Sequence, residues 1–67
     1  MNDVRLSLTL AEAVRLACLK AAREGYESAA MSGLCYEGAV EASLDAIRML
    51  DLRAVVAEHD AVPQKKP

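Results

Sequence analysis

The stretch Met31-Ser32-Gly33-Leu34 decides the fold, because it sets a glycine-bounded turn between two segments that each carry an apolar stripe at helical spacing. One stripe opens at Leu10 and the other at Leu34, so the chain reads as an antiparallel helical hairpin.

Upstream of the turn, Thr9-Leu10-Ala11-Glu12 has the form of a capping box, in which the threonine hydroxyl and the glutamate carboxylate satisfy each other's backbone N–H groups. A first helix is therefore predicted over about 10–31. Before it, Val4, Leu6 and Leu8 alternate with Arg5 and Ser7, which suggests a short extended arm. On a helical wheel Leu10, Val14, Ala17, Cys18, Ala21, Gly25 and Ser28 share one face, lined by small side chains. Leu16, Leu19, Tyr26 and Ala30 make a second stripe away from it, and one partner helix cannot cover both.

Downstream, a second helix is predicted over about 34–50, with Ser32 or Gly33 as its N-cap. Tyr36, Ala39, Val40, Ser43, Leu44, Ala46, Ile47 and Leu50 form its apolar face, and Glu37, Glu41, Asp45 and Arg48 its solvated side. The pattern then loses phase. Leu52, Val55 and Val56 project onto the side that was charged one turn earlier, so Asp51 reads as the N-cap of a separate, kinked third helix over about 52–59. Residues 1–62 form a single domain, and Pro63-Gln64-Lys65-Lys66-Pro67 is expected to be a disordered tail.

A chain of 67 residues sits below the size at which one core comfortably offsets conformational entropy. Two amphipathic helices leave little interior, and Phe and Trp are absent, so the core must be built from aliphatic and small residues. Part of the apolar surface is therefore expected to meet another chain. The predicted assembly is a four-helix-bundle-like homo-oligomer, or docking as an accessory subunit on a larger protein. The predicted interface is Leu16, Leu19, Tyr26, Leu52, Val55 and Val56.

The net charge of −2 arises from intermixed acids and bases, which argues against nucleic acid as the main partner. In shape, a hairpin pair of this size resembles the small plasmid-encoded RNA-binding hairpin dimers, but the acidic balance speaks against carrying their function over. The run from Met31 to Leu52 resembles short bacterial proteins without assigned function, which supplies no chemistry. Two cysteines and no apolar leader point to a reduced, cytoplasmic protein, and no stretch reaches the roughly 20 apolar residues of a membrane span.

Chemistry-bearing residues are sparse. Measured from the turn, Cys18 and Cys35 fall roughly 18 Å apart at 1.5 Å per residue, too far for a disulfide or a shared metal within one chain. Cys18 reads as a buried apolar residue. Cys35 lies in the first turn of the second helix, where unpaired N–H groups favour negative charge, which makes it the candidate reactive thiol. His59, the single histidine, reads as a surface residue complementing a helix C-terminus. Gly25 and Gly38 fall nearly opposite one another across the turn, which suggests a close helix crossing with Tyr26 and Tyr36 packed around it. Neither a catalytic set, a cofactor loop nor a metal-ligand set can be assembled, so a non-catalytic interaction module is expected. The alternative is a thiol- or metal-dependent sensor using Cys35 with Cys18 or His59 across a subunit interface.

Overall fold

A computed structural model describes residues 4–61 as three α-helices: α1 Val4–Met31, α2 Tyr36–Arg48 and α3 Leu52–Ala61. The hairpin reading holds. Helix α1 is a spine about 42 Å long at 1.5 Å per residue. Helices α2 and α3 form a return arm broken at Met49-Leu50-Asp51, and both pack against α1 and not against each other.

The turn works by a Schellman motif. The Leu34 N–H donates to the Ala29 carbonyl at 3.1 Å and the Gly33 N–H to the Ala30 carbonyl at 3.0 Å, closing the last turn of α1. Gly33 sits at φ +94°, a conformation that glycine adopts without a Cβ clash. Because Ser32 and Gly33 are consumed in ending α1, neither caps α2, contrary to the sequence expectation. The N-cap is Cys35, in an extended conformation and without a side-chain hydrogen bond. Helix α2 accordingly starts at Tyr36 rather than 34 and ends at Arg48.

The start of α1 also differs from expectation. No capping box forms at Thr9; the helix runs through it, and the Thr9 hydroxyl donates back to the Leu6 carbonyl at 2.8 Å. Glu12, the other half of the supposed box, pairs with Arg15 instead. An extended arm over Val4–Thr9 would have no strand to pair with, whereas a helix satisfies its N–H groups internally. The expected tail, 63–67, lies outside the described residues.

Asp51 behaves as its position predicts: its carboxylate accepts from the Ala54 N–H at 3.1 Å, so it is the N-cap of α3. The helix extends to Ala61, two residues past the predicted end. Asp51→Ala should therefore cost about 1 kcal/mol, confined to α3. Amide hydrogen exchange is expected to accelerate at Val55 and Val56 while the amides of Ala39 and Ala42 stay as protected as in the parent chain.

Small residues govern the packing of α1 on α2. A Cβ at Gly25 would lie 2.9 Å from Ala46 Cβ and 3.0 Å from the Ala42 carbonyl oxygen, so the two backbones meet there. Gly38 does not oppose Gly25, as the sequence had suggested; a Cβ there would meet the Leu34 side chain at 3.2 Å. The aromatic part of that reading is sound, since the Tyr26 and Tyr36 rings meet edge to face with centroids 6.3 Å apart.

This close seam leaves almost nothing larger inside. Among the described residues only Ala29 and Ala39 are buried, at 8% and 1% exposure. The α1-facing side of α2 is Ala39, Ala42, Ser43 and Ala46, at i, i+3, i+4 and i+7. Tyr36, Leu44 and Ile47, assigned from sequence to the core face, are exposed. Their side chains are too long for a seam set by Gly25 and are displaced to its flank.

Candidate interaction surface

The expected interface residues separate into two groups. Leu19 is 53% exposed, and Tyr26 is half-buried where its ring meets Tyr36. Leu16 is also exposed, but it lines a groove between α1 and α3 together with Ala17, Ala21, Leu50 and Val55. Val55 and Val56 are half-buried on α3, the helix that packs against α1, while Leu52 remains exposed at its start. The phase break thus folds the third helix's valines back along α1, and the six residues do not form one patch.

A different apolar face is continuous. On α2, Tyr36, Val40, Leu44 and Ile47 recur at helical spacing on one side, about a quarter-turn from the buried Ala39 stripe. The Tyr26–Tyr36 contact places this side level with the Leu19–Tyr26 side of α1. Ala17 and Ala21 face the groove lined by α3, and Leu19 and Tyr26 point roughly half a turn away from them. The face built by Leu19, Tyr26, Tyr36, Val40, Leu44 and Ile47 is therefore left open by α3. The signal that could have found it is the small-residue run Ala39, Ala42, Ser43, Ala46, which matches the small face of α1 and excludes the larger stripe from the seam.

No family model, curated protein or solved structure matches this chain.

The remaining candidates are placed apart. Cys18 is half-buried on α1 and Cys35 is exposed before α2; both are free thiols. His59 is less exposed than a surface residue, with 20% of its side chain accessible, beside Leu8, Ala13 and Leu16. Its Nδ1 is buried without a hydrogen bond, facing Asp60 Oδ1 at 3.5 Å. The half-buried position follows from α3 turning its Val55–Val56–His59 side toward α1. Among the described residues no group of three or more His, Cys, Asp and Glu side chains could hold a metal ion. Nor is any helix among them long and apolar enough to cross a membrane.

The polar rim is of mixed sign. Glu12 pairs with Arg15 on α1, and Asp45 with Arg48 on α2, all more than half exposed and therefore of small energetic value. Among the described residues, Arg23 beside the α1 part of the open face and Glu37 and Glu41 beside the α2 part enter no ion pair.

Proposed function

We propose that this chain is a small, non-catalytic helical module whose work is protein–protein interaction, either by self-association or as an accessory subunit of a larger assembly. One observation carries the reading: two helices present a shared apolar face while, among the described residues, only two alanines are buried. A patch of this kind is often an interaction site, and a chain this short can gain much of its burial from a partner. Two free thiols, one of them exposed, suit a reducing, cytoplasmic setting.

The test is the native size of the tagged chain in extract of its source cells, measured by size-exclusion with mass detection. Migration well above the 7.2 kDa of one chain is the expected result. Migration as a single chain at its natural abundance would end this reading.

A further inference from the structure

We infer that the occupant of the open face is a second copy of this chain, stacked so that α1 of each copy lies over α2 of the other; this rests on the reading of the chain as an interaction module. Area is the first ground. At exposures of 53% for Leu19, 72% for Tyr36, 41% for Leu44 and 36% for Ile47, with Tyr26 and Val40 half-buried, the six residues expose roughly 500 Å² in all, most of it apolar. A standard interface takes about 800 Å² from each partner, of which about 60% is apolar, or roughly 480 Å². One face of this hairpin thus supplies most of one partner's apolar share.

Shape is the second ground. Two antiparallel helices level with each other present a two-helix layer, and an isologous pair of such layers closes a four-helix bundle with no surface left over. At the level of Ala17 and Ala21, helix α3 lies on the side of α1 away from Leu19 and Tyr26.

Charge is compatible with this arrangement. A two-fold axis along the helices sets the outer edge of α1, which carries Arg23 and Glu27, against the outer edge of α2 in the other copy, which carries Glu37, Glu41 and Arg48, so that edges of mixed sign meet. The face carries both signs because each copy supplies both halves of the contact.

Sedimentation equilibrium on the purified full-length chain is the test, with circular dichroism on each sample. The wild type should reach twice the 7.2 kDa chain mass at micromolar concentration. Leu19→Glu and Leu44→Glu should each weaken pairing at least tenfold while keeping the helical spectrum, since both side chains are exposed within one chain. Arg23→Glu, a rim change with no bearing on folding, should weaken it several-fold. Leu6→Glu, at a residue 58% exposed but outside the face, should leave the mass unchanged. A single-chain mass at every concentration overturns the second-copy assignment, as does a dimer that Leu44→Glu and Arg23→Glu leave intact. If the purified chain is a monomer yet runs in a larger species in extract, this assignment fails and the interaction reading stands; if both are single chains, both fail.

Discussion

Gly25→Ala lowers the melting temperature while Gly38→Ala leaves it unchanged or raises it, although both replace a helical glycine by the best helix former. In an open helix either change would gain about 0.8–1 kcal/mol. At Gly25 the new methyl meets Ala46 Cβ at 2.9 Å and the Ala42 carbonyl oxygen at 3.0 Å, and neither neighbour can rotate away. The helices must separate along the whole small-residue seam, at a cost of about 1–3 kcal/mol, which exceeds the propensity gain. At Gly38 the nearest atom is Leu34 Cδ2 at 3.2 Å, the end of a side chain that can yield by a few tenths of an ångström. For a domain of this size about 1 kcal/mol corresponds to roughly 4–8 °C, so thermal melts at one fixed protein concentration resolve the opposite signs. Equal shifts for the two variants would mean that the seam is not the point of closest approach.

The contrast also marks what could be read from sequence and what could not. The turn at Gly33, the break before Asp51 and the helical character of the segments around 10–31, 36–48 and 52–59 follow from local rules, and such rules depend only on neighbouring residues. Helix boundaries at Val4 and Cys35 do not. Thr9-Leu10-Ala11-Glu12 satisfies the capping-box pattern, yet the same hydroxyl and carboxylate serve equally well inside a continuous helix, with Leu6 and Arg15 as partners. Ser32 and Gly33 can end one helix or begin the next, but not both.

The open apolar face is half legible in the sequence. Leu19 and Tyr26 stand out as a surplus stripe on α1, whereas Tyr36, Leu44 and Ile47 read as core because they are the larger residues on an amphipathic helix. Hydrophobicity ranks residues by their wish to leave water; it does not say which of two apolar stripes fits a partner helix already brought close by a glycine. Here backbone proximity at Gly25 selected the alanines for the seam and left the bulk outside, so the residues of greatest apolar area became available for association.

Ala39→Asp and Ile47→Asp separate those two roles. Ala39 is 1% exposed within the α1–α2 seam, where a carboxylate would be stripped of water with no cation placed to receive it. That cost is several kcal/mol, comparable to the entire stability of about 3–10 kcal/mol expected for a chain of this length. Ala39→Asp is therefore expected to lose the helical circular dichroism signal and cooperative melting at 25 °C. Ile47 is 36% exposed on the flank, and an aspartate there keeps contact with water. Ile47→Asp should retain a helical spectrum and a cooperative melt with a lower midpoint, the loss growing as the protein is diluted less, because on the proposed pairing it removes contact with another chain. The larger residue is the dispensable one for the single-chain fold. Equal unfolding by the two substitutions would place Ile47 in the core after all, and with it the boundary between what this chain uses to fold and what it offers outward.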